Sequence, residues 1–259
     1  MKYALMVRND DLSKKTALKI KESLQNFFIY DEKNPDLVIS IGGDGTILEA
    51  VHQYLNVDCC FVGIHTGTLG FYTDYQVDEV DQFIKDVASR QFKTMKRYML
   101  EIKINKKDSF QTYYALNELR LDQGLQAQVI HVYIGNVLLE VFRGNGLCVS
   151  TPSGSTAYNK SLGGSIIYPG IPLMQLTEVA GIHHNAYRSL GSSLILDKSH
   201  TIRFQSQSYQ GAILGIDHLV VDLQEHDCIS IKMASKTARF LQYKQVPFTK
   251  RLKRAYLRS

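Results

Sequence analysis

Leu37-Val-Ile-Ser-Ile-Gly-Gly-Asp-Gly-Thr46 decides how this chain is read. Its first five residues are a strand-length apolar run interrupted only by Ser40, and Gly42-Gly43 ends it. A strand without regular polar alternation is buried on both faces, the condition of a parallel sheet covered by helices. Thr46 to Leu55 then suits a helix, and Cys60-Phe-Val-Gly-Ile64 is a second apolar strand. Upstream, Met1 to Asp10 reads as a short strand through Tyr3, Leu5 and Val7. Downstream, Val80, Phe83, Ile84 and Val87 recur at three- and four-residue spacing, the mark of an amphipathic helix. These elements predict an N-terminal doubly wound α/β domain over residues 1–98. Ligands of such sheets collect beyond the carboxyl ends of the strands.

After residue 98 the pattern changes. Met99 to Ile104 alternates, Asn105 to Ser109 reads as a turn, and Tyr113 to Leu121 as the next strand. Val129 to Ile134 and Val137 to Phe142 flank Gly135-Asn136, a two-residue hairpin signal. Strand-like runs follow at Leu194–Leu196, Thr201–Phe204, Ala212–Ile216, Val220–Val221 and Ile229–Met233. The expectation is an antiparallel, β-sandwich-like domain over 99–237, interrupted by a loop-and-helix insert from Thr151 to about Tyr187. The tail, about 238–259, is assigned to the α/β domain. Phe248, Leu252 and Tyr256 give it an apolar helical face, predicted to pack on that domain with its basic residues solvated.

At 259 residues, 44% hydrophobic and 21% charged, the composition is that of an ordinary globular protein. No apolar stretch approaches the roughly 18 residues of a membrane span. The N-terminus lacks the long apolar core of a signal peptide, so the expected location is cytoplasmic. Cys59, Cys60, Cys148 and Cys228 show neither metal-ligand pairing nor a disulfide framework, and read as buried thiols. His183-His184 reads as a polar loop pair, and no dedicated metal cage is expected. The formal charge is +5, yet Lys250, Arg251, Lys253, Arg254 and Arg258 crowd the last ten residues. The rest of the chain is neutral, which argues against nucleic-acid binding across a folded face.

Chemistry concentrates in Gly42-Gly43-Asp44-Gly45-Thr46. Glycines let backbone amides approach a phosphate, and the following helix start adds positive potential. A phosphate cradle needs no carboxylate. Asp44 therefore implies a second job: taking a proton from a hydroxyl, or orienting a phosphate-bound Mg²⁺. A tight turn with a helix-capping Asp is the structural alternative. No Gly-Lys-Ser/Thr follows, so this is not a P-loop, and the third glycine of a dinucleotide fingerprint is missing.

This loop resembles the G-G-D-G-T of NAD kinases and of the diacylglycerol and sphingosine lipid kinases. Asn117-Glu118 at a strand end and Thr151-Pro-Ser-Gly-Ser-Thr-Ala-Tyr158 resemble the NAD kinases specifically, as do Arg143-Gly-Asn-Gly146 and Leu162-Gly-Gly164. The resemblance covers essentially the whole chain. It implies phosphoryl transfer from ATP, another nucleotide or polyphosphate to the adenosine-ribose 2′-hydroxyl of NAD. Asp44 would be the general base, with Gly43 and Gly45 as its glycine neighbours, and Mg²⁺ or another divalent cation would arrive with ATP. It also implies a homodimer or homotetramer whose neighbouring subunit completes the site.

The resemblance assigns nucleotide contacts to Asn117, Glu118, Arg143, Ser153, Thr156, Ala157, Tyr158 and Ser161, and places Ala180 and His218 near the site. Glu118 can accept from ribose hydroxyls or hold a cationic neighbour. Ser155-Thr156 can also start a helix by capping its amides. Tyr158 offers a ring to a base or ribose, with a buried core tyrosine as the rival reading; Phe71 resembles an adenine-pocket wall and is equally well a core aromatic. One departure stands out: Asn145 occupies the place of an acid that in relatives contacts the nicotinamide side. Asparagine keeps hydrogen bonding and loses the charge. A lipid kinase and a non-catalytic NAD(H) sensor are the competing readings. The Asn117 and Thr151 segments oppose the first, and Asp44 opposes the second.

Overall fold

The computed structural model describes residues 1–67, 70–106, 109–184, 187–244 and 246–257. Thr68 and Leu69 of the Gly67–Phe71 run, Lys107 and Asp108 of the expected turn, and Arg258 of the tail lie outside the described residues. The chain divides into two compact units, Met1–Lys96 with Ala238–Ser259, and Arg97–Thr237.

The first unit contains β1 (Lys2–Val7), α1 (Asp11–Leu24), β2 (Ile29–Tyr30), β3 (Leu37–Gly42), α2 (Asp44–Gln53), β4 (Cys60–His65), β5 (Tyr75–Gln76) and α3 (Val80–Ser89). β1 pairs with β2 and β3, β3 with β4, and β4 with β5, all parallel. Every residue of β3 is buried, as its apolar run requires. Leu37, Ile39, Ile41, Val62 and Ile64 meet Ile20 and Leu24 of α1 and Val80, Phe83 and Val87 of α3 in one core. Alternation turns Val38 and Phe61 to the other face, where α2 packs. A β-carbon on Gly63 would stand 3.1 Å from Ile47 Cδ1 of that helix. The sheet is therefore covered on both faces, and its carboxyl ends carry Arg8, Gly42 and His65 side by side. Gly42 pairs in register with His65, and Arg8 N–H donates to Ile41 O at 2.9 Å.

In the second unit the strands are β6 (Lys93–Asn105, from Arg97 on), β7 (Phe110–Ala115), β8 (Glu118–Asp122), β9 (Gln128–Ile134), β10 (Val137–Gly144), β11 (Gly146–Ser150), β12 (Leu173–Val179), β13 (Leu194–Asp197), β14 (Thr201–Gln205), β15 (Ile213–Ile216), β16 (Leu219–Val221) and β17 (Cys228–Gln242, to Thr237). One sheet runs β10-β9-β14-β17, with β6 on β17 and β7 on β6; the other runs β13-β12-β11-β8-β15-β16. Leu100, Ile102, Val132, Phe204 and Ile231 of the first meet Leu119, Leu121, Leu147, Leu176 and Leu214 of the second in a single core. This is the sandwich that the alternating runs predict.

Two expectations need correction here. Tyr113 to Leu121 is not one strand: the chain breaks at Leu116-Asn117 between β7 and β8. Its amides there bond to a carboxylate rather than to a neighbouring strand. The insert after Thr151 likewise contains a strand, β12, which pairs antiparallel with β11. Its polar Gln175 and Thr177 obscure the apolar pattern, because both are buried and hydrogen-bonded.

The tail forms a helix, Phe248–Tyr256, whose Phe248 and Tyr256 rings lie 6.4 and 5.8 Å from the Phe71 ring. Its basic residues are not all solvated. Arg251 is its one buried residue, paired with the buried Asp74 and donating to Thr73 O at 2.7 Å. Hydrophobic periodicity cannot reveal such a cation, because the partner lies far away in sequence.

Candidate active site

Asp44 opens α2 at the carboxyl end of β3. It is not the helix cap. Gly43 is the N-cap, in extended conformation, and its N–H reaches Thr46 Oγ1 at 3.4 Å. Asp44 is turned instead toward the segment after β4: Phe71 N–H donates to Oδ2 at 2.8 Å and Tyr72 N–H to Oδ1 at 3.2 Å. Gly70 makes this possible, since a β-carbon there would lie 2.2 Å from Asp44 Oδ1. The two amides fix the orientation of the carboxylate and leave each oxygen a further lone pair. A β-carbon on Gly45 would meet nothing within 4 Å, so open space adjoins the helix start. Phe71, half-buried against the tail helix, presents its backbone to Asp44 and its ring to Phe248 and Tyr256.

In the second unit, Asn117 and Glu118 are held by Asp217. The Asp217 carboxylate accepts from the N–H of Leu116 (2.7 Å), Asn117 (2.8 Å) and Glu118 (3.2 Å). Asp217 takes φ +50° to do so, and its own N–H donates to Glu118 O at 3.0 Å. On the other side, Thr151 N–H donates to Asn117 O at 2.8 Å and Thr151 Oγ1 to Leu116 O at 2.6 Å. Gly154 packs so closely that a β-carbon would stand 2.1 Å from Asn117 O. The two family-like segments thus form one structure, with His218 exposed beside it.

Ser153 and Thr156 are buried in this turn, Ala157 is half-buried and Ser161 exposed. Ser155 and Thr156 do not cap a helix. Ser155 Oγ donates to Pro152 O and accepts from Ile167 N–H, while Thr156 Oγ1 donates to Ser153 O. Ala157 takes the cap position of the turn Tyr158–Ser161, without a side-chain bond. Tyr158 is half-buried; its hydroxyl reaches Asp122 Oδ1 at 3.4 Å, and the Arg120 guanidinium sits 5.4 Å over its ring. Arg143, Asn145 and Ala180 come together at the junction of β10, β11 and β12. Asn145 N–H donates to Val179 O, Arg143 O accepts from Ile182 N–H, and Ala180 is held at φ +47°. The Arg143 guanidinium lies 4.3 Å from the Tyr187 ring centre.

Residues 6–92 match the ATP-NAD kinase N-terminal domain and residues 116–243 the ATP-NAD kinase C-terminal domain. Among curated proteins, NAD kinase 1 of Bacillus anthracis is 39% identical over 99% of each chain. NAD kinase of Staphylococcus aureus (strain Newman) is 38% identical over 100% of this chain and 98% of its own. This chain belongs to the NAD kinase family. It is a phosphotransferase that phosphorylates NAD. The same fold occurs in yeast NADH kinase solved with NADH, at TM-score 0.85, 23% identity and coverage of 99% and 87% of the two chains. An NAD kinase from Archaeoglobus fulgidus solved with ATP superposes at TM-score 0.72, with 20% identity and 95% of each chain covered.

Four residues that position the family's segments were not picked out from the sequence. Asp217 is one; its only sequence signal is a polar Asp-His pair between two β runs. Arg97, buried, donates to Ser153 Oγ at 3.3 Å. Arg120 lies between Tyr158 and Asp122. His65, a polar residue ending an apolar strand, adjoins the glycine turn.

Glu118 shows what this kinase's Asp217 does electrostatically. Burial, reinforced by the Asp217 charge and opposed by Arg120, pushes the Glu118 carboxyl up to about 8. Near pH 7 the free protein therefore carries Glu118 protonated, able to donate as well as accept. The folded carboxyl binds its proton more tightly than the unfolded one does. Its stabilising contribution is whole below the ordinary value, near 4.5, and is lost as pH rises through about 8. The melting temperature should fall between about pH 4.5 and 8 and level off above that, and Glu118→Gln should flatten that fall. Equal slopes for the two proteins in thermal melts would remove Glu118 as its source.

Proposed function

We propose that the protein transfers the terminal phosphoryl group of MgATP to the adenosine-ribose 2′-hydroxyl of NAD, with Asp44 as general base. What supports this most directly is the fixed Asp44 carboxylate. Its two amide bonds aim it from the first turn of α2, at the carboxyl end of a parallel sheet, where Gly43 and Gly45 leave room for a phosphate. Removal of the ribose proton by Asp44 leaves an alkoxide that attacks the γ-phosphorus; the bond to the β,γ-bridging oxygen breaks, and ADP departs. The Mg²⁺, or another divalent cation, enters as part of the donor. Among the described residues no group of three or more His, Cys, Asp or Glu is arranged to hold a metal. Asn117, Glu118, Ser153, Thr156, Ala157, Tyr158 and Ser161 are assigned to NAD, with Ala180 and His218 beside them.

Arg143 and Asn145 are assigned to the nicotinamide side. The Asn145 backbone is tied on both sides, to Val179 O and Gln123 N–H, so its side chain can change without moving the strand. Asn145→Asp should alter the KM for NAD several-fold and turnover by less, as a substrate-positioning contact does. Steady-state assays with NAD and MgATP, coupled to an NADP-dependent dehydrogenase, read both constants. A change confined to the KM for ATP would put Asn145 on the donor side.

We assign the protein to the cytoplasm and to a homodimer or homotetramer. No described helix is long and apolar enough to cross a membrane. Val137, Leu138, Leu139 and Val141 form an exposed apolar stretch on β10 that suits a subunit contact.

A further inference from the structure

His65 ends β4 beside Gly42, and only 9% of it is exposed. Its Nδ1 accepts from Gly67 N–H at 2.8 Å, which places the proton of the neutral ring on Nε2. That nitrogen has no hydrogen-bond partner among the described residues. It faces the glycine turn, where a β-carbon on Gly43 would lie 3.5 Å from it. Gly67 flanks the ring's other side, its would-be β-carbon 3.4 Å from Cε1. A buried donor aimed at a helix start made of glycines is an arrangement that an anion completes.

We propose that His65 is a binding residue for the phosphate donor, its Nε2–H donating to a phosphate oxygen of ATP held on the Gly43–Gly45 turn. This rests on the reading of that turn as the donor's phosphate cradle. The charged groups around the ring are few. Arg8 stands at the end of β1 with Nε on Asp10 at 2.6 Å, and Asp44 stands in the first turn of α2. Burial, helped by the Arg8 charge and opposed by Asp44, holds the imidazole below its ordinary value, and an amide donating to Nδ1 favours the neutral ring as well. The ring is thus neutral at physiological pH and donates without a charge. The glycine turn loses nothing to protonation, and Asp44 is not locked into an ion pair with a histidinium.

Two substitutions separate this role from simple support of the loop. Asn at 65 places an amide oxygen where Nδ1 accepts from Gly67 and has nothing at Nε2. Gln reaches the Nε2 position and gives up the Gly67 bond. Binding of the Mg²⁺ complex of AMPPNP, a non-hydrolysable ATP analogue, is measured by calorimetry on the full chain, with melting curves as a folding check. His65→Asn should weaken it about 10–100-fold, the size of a hydrogen bond to a charged group, while His65→Gln stays closer to wild type. The KM for ATP should rise in parallel, with the KM for NAD little changed. Nitrogen NMR of His65 should show a neutral ring protonated at Nε2 whose resonance moves on addition of the analogue. Normal analogue binding by His65→Asn, with His65→Gln impaired, would overturn the proposal and make the residue a support for Gly67. Gly45→Ala tests the underlying reading separately, because its β-carbon meets nothing in the free protein. If Gly45→Ala weakens the analogue and His65→Asn does not, the cradle stands and His65 falls; if neither does, the cradle falls as well.

Discussion

Asp44→Asn should lower turnover by about 10²–10⁴-fold, the usual worth of general-base catalysis and roughly 3–5 kcal/mol of barrier. Asparagine keeps the shape of the side chain and cannot take the ribose proton at neutral pH. NAD should still bind, perturbed less than tenfold (about 1.4 kcal/mol). A negative charge beside the bound substrate has gone, and the Asn117-Glu118 and Ser153–Ser161 segments assigned to NAD are untouched. Asparagine does change one structural bond. Asp44 accepts from two amides, Phe71 N–H and Tyr72 N–H, and Asn offers one oxygen for both. One N–H then faces an NH₂ group, at a cost of about 1–3 kcal/mol if it stays buried. A moderate loss of melting temperature is expected alongside the large loss of turnover. Calorimetry with NAD, a thermal melt and coupled turnover, run on one preparation, separate the effects. Turnover within a few-fold of wild type would remove Asp44 as the base. Loss of NAD binding together with folding would make its role structural.

Arg251→Met should destabilise the first unit by about 3–5 kcal/mol, because it strands a buried carboxylate. Arg251 and Asp74 are 6% and 7% exposed at their side chains, and the guanidinium also serves Thr73 O. Methionine fills much of the same volume and satisfies neither acceptor. The melting temperature should fall by on the order of 10 °C. Asp74→Asn in the same chain should recover most of it, since removing both charges avoids the unpaired one. Lys250→Met and Lys253→Met, on exposed positions of the same helix, should each change it by less than about 0.5 kcal/mol. Activity should fall with Arg251→Met, because Thr73 and Asp74 directly follow the Phe71 and Tyr72 amides that hold Asp44. A double variant no more stable than Arg251→Met would show that packing of the tail helix, rather than the ion pair, sets the loss.

Local signals carried much of this protein's description. The run before Gly42 is apolar because β3 is covered on both faces, so a continuous run revealed a parallel sheet. Gly135-Asn136 formed the expected hairpin, with Gly135 at φ +60°. The Gly42–Thr46, Asn117-Glu118 and Thr151–Tyr158 segments identified the family because their chemistry sits in consecutive residues. Tertiary structure decided whatever depends on partners far apart in the chain. Asp217 reaches Asn117 across 100 positions, breaking a strand that β propensity alone would continue. Arg251 finds Asp74 across 177, burying a cation on a helix whose sequence reads as amphipathic and solvated. Ser155 has the residue type of a cap, yet its hydroxyl accepts from Ile167 N–H, twelve residues on, rather than from a helix amide. Apolar patterning records which face is buried, since burial follows from each residue's own surface. Which polar atom meets which carries no such local trace: a hydrogen bond needs alignment within a few tenths of an ångström, and that exists only once the distant strands are in place.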